Sequence, residues 1–313
     1  MSWKRGVDGI VLLDKPAGIT SNHALQRVRQ ALSAAKAGHA GTLDPMATGM
    51  LPLCFGQATK TCGIILGARK AYRARLRLGA ATDTADAQGQ IVSRAEVPQL
   101  DPASVAAVLA AFEGARDQIP PMVSALKVAG ERLYEVARRG ETVPRAARRI
   151  ELHRVDLVGI DGQDVEFDVE CSKGTYIRVL GEEVADRLGT VGHLAALRRL
   201  WVAPFASESM VTLDEIGAWQ TAVESAGRDP GDTRGRPSWL HPVEYALTGY
   251  ARVDLGPADS LSIRHGRTVP SDRGLPAGTT VRAYDAVGDL LGLLRAGSDG
   301  RLQVVRLFVD TTG

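Results

Sequence analysis

The chain has 313 residues, of which 44% are hydrophobic and 24% charged, and its formal net charge is +2. This composition excludes a disordered chain and suits one large domain or one domain with a small appendage, and no stretch approaches the roughly 18 apolar residues of a membrane helix. Three cysteines without a pairing pattern or a Cys/His cluster exclude a disulfide framework and a zinc site.

The first predicted element is a buried strand over residues 9–13, a continuous apolar run. Asp14 and Lys15 interrupt this run, which is also too short for a secretion signal, so we expect a soluble cytoplasmic protein. A loop with Pro16 and Gly18 follows, and Ser21 is a candidate N-cap for a helix.

The central elements carry clear periodicities. Residues 72–78 alternate strictly, which predicts a strand with Tyr72 on one face and three arginines on the other. Asp101 and Pro102 predict the start of a helix that runs to residue 112. The remaining predictions are a strand over 51–55, a short helix over 58–66, a strand over 165–169, a helix over 176–188, and a helical or extended segment over 193–200.

A polar segment rich in Gly and Pro, residues 224–238, predicts a linker. From about residue 250 short β-like runs predict a small all-β appendage of about 60 residues. We therefore predict a larger domain over 1–245 and a smaller β-rich domain over 250–313. Because the larger part lacks regular βαβ alternation, we predict an α+β fold with a mixed or antiparallel sheet.

The segment that points to chemistry reads HAGTLDPMATGML, residues 39–51. Asp44 precedes a proline and is therefore held extended, while Gly41 and Gly49 allow another backbone to approach closely. A carboxylate fixed on a rigid loop suits nucleophilic catalysis. An isolated Asp-Pro pair is, however, usually only a turn.

The wider sequence resembles the TruB-type bacterial pseudouridine synthases, whose signature GTLDPxATGxL is matched here without a departure. Further resemblances occur in the family's order over most of the first 205 residues. They are GIVLLDKPAGITS (9–21), KAYRARLRLGAATDTADAQG (70–89), PPMVSALKVAGERLYEVARRGE (120–141), CSKGTYIRVLGEEVADRLG (171–189) and HLAALRRL (193–200). The resemblance implies a large mixed sheet flanked by helices, and a PUA-like module at residues 250–313.

The resemblance also implies roles for individual residues. Asp44 is expected to be the nucleophile, Tyr72 to stack on the flipped uracil and help remove the C5 proton, and Arg178 to pair with Asp44. By residue type alone, Tyr72 suits a core, Arg178 a solvated helix face and His39 a loop. The expected binding residues are His39 against the deformed RNA loop, Leu197 in the base pocket, Lys15 and Pro16 beneath the catalytic loop, and Tyr176, Arg198 and Arg199 toward RNA.

The implied reaction breaks the N1–C1′ bond of a uridine and forms a C5–C1′ bond, so we expect no cofactor and no metal. Asp44 attacks either the sugar or the base. The uridine must leave its stack at a cost of a few kcal/mol, which stacking on an aromatic face offsets by about 1–3 kcal/mol. For Asp83 and Asp86, we favour a role in capping and hydrogen bonding over a role in a metal site.

Arginine greatly outnumbers lysine, a bias that phosphate binding or a GC-rich genome would produce. Seven arginines lie in residues 132–154, which suit either a phosphate-contacting surface, our preferred interpretation, or a solvated charged face. Arg198 and Arg199 would extend the surface. Residues 250–313 are expected either to bind RNA or to act as a structural cap on the catalytic domain.

The predicted function is isomerisation of the uridine at position 55 in the T-loop of tRNA, by a monomer that binds the T-arm and no membrane. One alternative is a folding chaperone for which binding of the tRNA T-arm matters more than catalysis. Another is a hydrolase of glycosidic bonds, which would need a second carboxylate near Asp44. The motif offers none nearby.

Overall fold

A computed structural model describes residues 6–124, 127–128, 131–132, 139, 141, 143–206, 208–228, 236–271 and 274–308. The strands are β1 (Gly9–Lys15), β2 (Ala37–His39), β3 (Thr48–Phe55), β4 (Lys70–Leu78), β5 (Ala80–Thr82), β6 (Ile91–Arg94), β7 (Gly114–Gln118), β8 (Lys127–Val128), β9 (Glu131–Arg132), β10 (Arg148–Asp161), β11 (Asp164–Cys171), β12 (Gly192–Val202), β13 (Leu240–His241), β14 (Ala251–Asp254), β15 (Val269–Pro270), β16 (Thr280–Tyr284), β17 (Leu290–Ala296) and β18 (Arg301–Leu307). The α-helices are α1 (Ser21–Ala31), α2 (Cys62–Gly67), α3 (Pro102–Ala110), α4 (Ile177–Arg187), α5 (Leu213–Ser225) and α6 (Pro257–Arg264), and short 3-10 helices span Gly56–Thr61 and Val243–Leu247.

The centre of the molecule is a mixed sheet, which has nine strands within the described residues. Its order is β13-β1-β3-β12-β4-β11-β10-β7, with β2 added to β3. β3 and β12 run parallel and the other pairs are antiparallel. Helices α1, α3, α4 and α5 bury one face in the main core, and α2 with the two 3-10 helices covers a second core on the other side.

Strand β4 confirms the prediction from alternation. Tyr72 and the alternate positions up to Leu78 are buried, whereas the arginines between them are exposed. The register places Arg73, Arg75 and Arg77 opposite Asp168, Glu166 and Asp164 of β11, and each forms an ion pair with its opposite residue. This arginine face is therefore neutralised within the sheet.

The helix starts follow from local capping. Asp101 caps α3 and Pro102 opens it, as predicted. The predicted cap of α1 is wrong by one residue, because Thr20 accepts from the backbone N–H of His23 and Ser21 is already helical. The Ser21 hydroxyl instead contacts the loop before β3.

Other predictions are refined by the structure. The strand and helix expected over 165–169 and 176–188 are confirmed as β11 and α4. Residues 193–200, which suited helix or strand, belong to β12. The predicted linker begins within α5, and its residues 229–235 lie outside the described residues.

The C-terminal part forms a separate five-stranded sheet in the order β14-β16-β17-β18-β15. The expected β-rich character of this part is confirmed, and the structure adds one helix to the predicted strands: α6 begins at Pro257 behind the cap Gly256 and buries Ile263 against this sheet. The α+β fold class itself is confirmed. The division at residues 245–250 stays a prediction.

Within the described residues, no helix combines the length and the apolar composition that crossing a membrane requires.

Candidate active site

The loop between β2 and β3 carries Asp44, and hydrogen bonds fix it on both sides of that residue. The Ser21 hydroxyl accepts from Leu43 N at 2.8 Å and donates to Leu43 O at 3.1 Å. On the other side, Pro45 O accepts from Gly18 N at 2.8 Å and from Lys15 Nζ at 3.3 Å. The backbone at Asp44 is therefore held from α1 and from the loop after β1.

The sheet presents a single row of residues at the level of this loop. Lys15 on β1 lies opposite Gly49 on β3, Gly49 opposite Arg199 on β12, and Arg199 opposite Tyr72 on β4. Directly paired residues point to the same face, so the three long side chains share it. Gly49 has a φ of +95°, and a Cβ there would lie 2.2 Å from Arg199 O, so only glycine fits at this junction.

Arg178 reaches Asp44 from α4. Its Nε lies 3.0 Å from Asp44 Oδ2, while Nη1 and Nη2 donate to Thr84 O at 2.9 Å and Val123 O at 2.7 Å. The Arg178 side chain is 4% exposed, whereas that of Asp44 is 37% exposed. All three nitrogens of the guanidinium therefore have partners, and these contacts hold its positive charge next to a carboxylate that remains accessible.

Asp86 is a further member of this network that sequence reasoning did not assign to the site. Its Oδ2 lies 3.8 Å from Arg178 Nε, and its Oδ1 accepts from Thr84 Oγ1 and Gln88 N. These two contacts agree with the sequence-based interpretation that Asp86 forms hydrogen bonds within an acidic turn. Nothing in the local sequence indicates that this turn lies next to Arg178 of α4.

The pKa of Asp44 is raised above its ordinary value, with desolvation by burial as the largest cause. The positive charge of Arg178 opposes this rise in pKa, as does that of Lys15, whereas Asp86 adds to it. Burial therefore makes the Asp44 carboxylate more basic, and the two cations favour its ionised form.

Lys15 and Tyr72 are both buried beside this carboxylate. Burial lowers the pKa of Lys15 to about 8, and its ammonium donates to Pro16 O and Ile19 O at 2.8 Å as well as to Pro45 O. Burial raises the pKa of Tyr72, and the positive charge of Arg199 opposes that rise. The resting Tyr72 side chain is therefore a neutral phenol.

The remaining predicted contacts lie around this centre. His39 ends β2, its Nδ1 is buried without a hydrogen-bond partner, and burial lowers the pKa of its ring. Leu197 is buried on β12, and Tyr176 caps α4, where its backbone N–H donates to Gln118 Oε1 at 2.8 Å. A neutral histidine ring suits packing against bases more than ion pairing with phosphate.

Arg198 and Arg199 differ from the expected pair of surface arginines. Arg198 is half-exposed but forms a two-bond ion pair with Asp14. Arg199 is 1% exposed, and it donates to Met50 O at 2.6 Å and Gly41 O at 3.1 Å. It therefore supports both ends of the Asp44 loop from inside, because the register turns its side chain toward the loop and away from solvent.

In the arginine-rich segment, residues 132–154, ion pairs neutralise some of the positive charges. Arg139 forms ion pairs with Glu131 and Glu141, and Arg154 does so with Asp156. The side chains of Arg132 and Arg138 lie outside the described residues. Of the predicted set, Arg148 is exposed on β10 and has no ion pair with any described residue.

Chemically, this arrangement provides one accessible carboxylate with a fixed counter-charge and an aromatic neighbour. Asp86 does not serve as the second acid of a glycoside hydrolase, because its oxygens are engaged and the residue is 5% exposed. Among the described residues, no group of three His, Cys, Asp or Glu side chains could hold a metal ion.

Comparison with known protein families covers nearly the whole chain. Residues 29–177 match the N-terminal domain of the TruB family pseudouridylate synthases. Residues 178–248 match the C-terminal domain described as that of tRNA pseudouridylate synthase B, and residues 251–308 match the C-terminal domain of pseudouridine synthase II TruB.

Individual relatives agree with these matches. The chain is 43% identical over 304 residues to the tRNA pseudouridine synthase B of Xanthomonas euvesicatoria pv. vesicatoria, covering 97% of this chain and 95% of the relative. It is 46% identical over 290 residues to the protein of the same name from Ralstonia nicotianae, covering 91% and 88%. Among solved structures, a chain of a Cbf5-Nop10-Gar1 complex superimposes with a TM-score of 0.73 at 25% identity, covering 97% of this chain and 85% of that one. With a matching fold, family profiles along its length and relatives of this similarity, the chain belongs to the TruB family of pseudouridylate synthases.

Proposed function

We propose that this chain converts the uridine at position 55 in the T-loop of tRNA to pseudouridine, with Asp44 as the nucleophile. The observation that carries the proposal is the Asp44 loop, which is hydrogen bonded on both sides and faces the fixed Arg178 guanidinium. The choice of tRNA as substrate is supported by the relatives named tRNA pseudouridine synthase B.

The reaction begins when the target uridine leaves the RNA stack. Asp44, held ionised by Arg178 and Lys15, attacks either C1′ of the sugar or C6 of the base. The N1–C1′ bond breaks, the uracil turns, C5 bonds to C1′, and the C5 proton is lost. All atoms but this exchanged proton stay in the nucleotide, so the chemistry needs neither an oxidant nor a group donor.

Tyr72 is proposed to stack on the flipped uracil. Its neutral phenol presents an apolar ring face, which suits stacking worth about 1–3 kcal/mol per base. Removal of the C5 proton by its oxygen would require a phenolate to form during the reaction. The neighbouring Arg199 favours that form, since its positive charge lowers the pKa of Tyr72 against the effect of burial.

The RNA-binding part of the proposal rests on residues around the site. His39 and Leu197 are proposed to line the space for the deformed loop and the flipped base, with Tyr176 at the start of α4 beside it. Arg198 and the exposed Arg148 are proposed to contact phosphates. For Arg199 we propose support of the loop instead, since its side chain does not reach solvent.

The test is tritium release from an unmodified tRNA transcript that carries C5-tritiated uridine, because formation of the C5–C1′ bond expels the C5 hydrogen. Wild-type protein is expected to release about one equivalent per tRNA, and Asp44→Asn none. A transcript in which only uridine 55 is replaced by cytidine should release none with either protein. Release from that transcript would overturn the assignment of position 55.

The matched control is Asp161→Asn, the same chemical change at an exposed position where β10 ends. It should release tritium like the wild type. Release by the wild type separates the enzyme from the chaperone, because a chaperone would bind tRNA and release no tritium. Asp44→Asn should bind tRNA normally and release none. If Asp44→Asn releases tritium at the wild-type rate, Asp44 is not the nucleophile.

A further inference from the structure

The second core contains two cysteines that the proposed chemistry does not use. Cys54 is fully buried near the end of β3, and Cys62 is half-buried at the start of α2. Cys54 lies directly opposite Gly38 of β2. A Cβ at Gly38 would lie 3.5 Å from Cys62 Sγ, so the Cys62 thiol occupies the space beside Cys54 that a larger residue at 38 would fill.

The chain turns back between the two cysteines. Cys54 Sγ lies 3.9 Å from Thr61 Oγ1, and Thr61 directly precedes Cys62. The Thr61 hydroxyl donates to Ala58 O at 2.7 Å, which fixes Thr61 beside Cys54. The 3-10 helix Gly56–Thr61 thus folds the chain back so that residues 54 and 62 meet.

The two thiols differ in accessibility and acidity. The neighbouring Cys54 thiol lowers the pKa of Cys62, and the charge of Lys36 lowers it further. The pKa of Cys54 is raised well above its usual range, first by the neighbouring Cys62 and then by burial. Since thiolates are the attacking species, Cys62 is the thiol that reacts first with a reagent in solution.

Cys171 provides an internal contrast. It is buried in the main core on β11, and burial raises its pKa to about 11. Cys54 is as deeply buried as Cys171, so oxidation of Cys54 and not of Cys171 would reflect the position of Cys54 beside Cys62.

We propose that Cys54 and Cys62 form a dithiol site that oxidises to an intramolecular disulfide by exchange with a small-molecule disulfide such as oxidised glutathione. The Cys62 thiolate attacks one sulfur of the reagent, and the first glutathione leaves as a thiolate. Cys54 then loses its proton and attacks the Cys62 sulfur, releasing the second glutathione. Overall, two protein thiols become one disulfide, and one oxidised glutathione becomes two reduced molecules.

The bond would join two functional parts of the fold. β3 leads back to the Asp44 loop, whereas the segment around α2 contacts the C-terminal sheet through Lys60, whose Nζ donates to Leu307 O at 2.8 Å. The covalent link would close the short loop that contains the 3-10 helix. Oxidation should therefore raise the melting temperature of the full chain relative to the reduced protein.

The test uses the full-length protein, fully reduced and then incubated with oxidised glutathione. After free thiols are blocked and the chain is unfolded, trypsin separates the two cysteines, because it cleaves after Lys36, Lys60 and Arg69. The expected product is peptide 37–60 disulfide-linked to peptide 61–69. Its mass should be about 2 Da below the sum of the two peptides, and dithiothreitol should separate them.

Variants identify the order of the two steps. Cys171→Ser should form the link like the wild type, and Cys54→Ser should accumulate a stable glutathione adduct on Cys62. Persistence of that adduct in the wild type, without the linked peptides, would overturn the proposal, as would modification of Cys171 before the pair. The decisive result comes from the wild type and does not depend on whether a variant folds.

Discussion

At the scale of single residues, two opposing effects determine the pKa of Asp44. Burial raises its pKa, while Arg178 and Lys15 favour the ionised form. A carboxylate that is removed from water yet still charged is well prepared to attack an electrophilic carbon. The accessible side of Asp44 and the buried Arg178 place the substrate and the counter-charge on different sides of the same group.

The first prediction concerns the pH dependence of kcat/KM for isomerisation. If Asp44 is the nucleophile, its ionised form is required, so kcat/KM should be constant at higher pH and fall as the pH drops through the raised pKa of Asp44. Arg178 lowers that pKa. Replacing Arg178 with Met should therefore move the acid limb of the kcat/KM profile to higher pH.

Arg178→Lys is the control for this shift, because it keeps a positive charge and should move the acid limb less than Met does. Both variants lose donors to Thr84 O and Val123 O, so circular dichroism must show that they fold. An unchanged acid limb in folded Arg178→Met would mean that Asp44 does not control the profile.

The second prediction compares two neighbouring hydroxyls. Ser21→Ala removes the buried acceptor of Leu43 N, beside Asp44, and an unsatisfied buried N–H costs about 1–3 kcal/mol. If the loop shifts to recover part of this cost, kcat should fall about tenfold, equivalent to about 1.4 kcal/mol, with KM unchanged. Steady-state kinetics on the tRNA transcript measures both constants.

Thr20→Ala is the matched control, because Thr20 caps α1 and does not touch the loop. It should lower stability by about 1 kcal/mol and leave kcat as it is. Equal effects of the two substitutions on kcat would contradict a positioning role for Ser21.

The role of Asp44 as a nucleophile stays a prediction, and the sequence could offer it because the proline after Asp44 and the surrounding motif are local. The roles of Ser21 and Arg199 could not be predicted in the same way. Both depend on contacts between segments distant in the sequence, Ser21 with Leu43 and Arg199 with Gly41. A serine before an apolar helix pattern has the same local signature whether it caps the helix or binds a loop.

At the scale of elements, the parallel junction of β3 and β12 positions the row of Lys15, Arg199 and Tyr72. The third prediction is that Gly49→Ala disrupts this junction, since the added Cβ would lie 2.2 Å from the backbone oxygen of Arg199. We expect a loss of roughly 4 kcal/mol or more, measured by urea unfolding.

Gly189→Ala separates the steric effect from the conformational one. Gly189 has a similar φ, +81° against +95°, but a Cβ there meets nothing within 4 Å. It should lose only about 1–2 kcal/mol, the cost of a left-handed conformation. Similar losses for both variants would show that backbone strain, and not the approach of β12, requires glycine at position 49.

Periodicity predicted β4 and β11 because buried positions alternate with exposed ones in β4 and with partly buried ones in β11, which alternation reports directly. It left residues 193–200 undecided because their short apolar pattern fits either period, and pairing with β3 and β4 settles the matter. It missed α6, a helix of eight residues whose buried hydrophobic contact is Ile263. Short elements are defined by their neighbours more than by their own sequence.

At the scale of the whole molecule, the C-terminal sheet packs against the larger part through a small apolar cluster. Leu247, Leu293 and Phe308 are buried together, with Ile64 of α2 packed against them. This cluster is separate from the core of the C-terminal sheet itself. The interface is therefore small, and the two parts can differ in stability.

The fourth prediction tests whether residues 250–313 form a domain of their own. Phe308→Ala removes the largest side chain of the cluster and should cost about 3 kcal/mol, the low end for such a truncation. Hydrogen exchange should accelerate in residues 251–307, whereas β1 and β3 keep their protection and kcat is unchanged. Val287→Ala, at an 83% exposed position in the turn between β16 and β17, should change neither. Equal acceleration throughout the chain would mean that the two parts unfold as one unit, and a cap that stabilises the catalytic part would then be the better description of the C-terminal sheet.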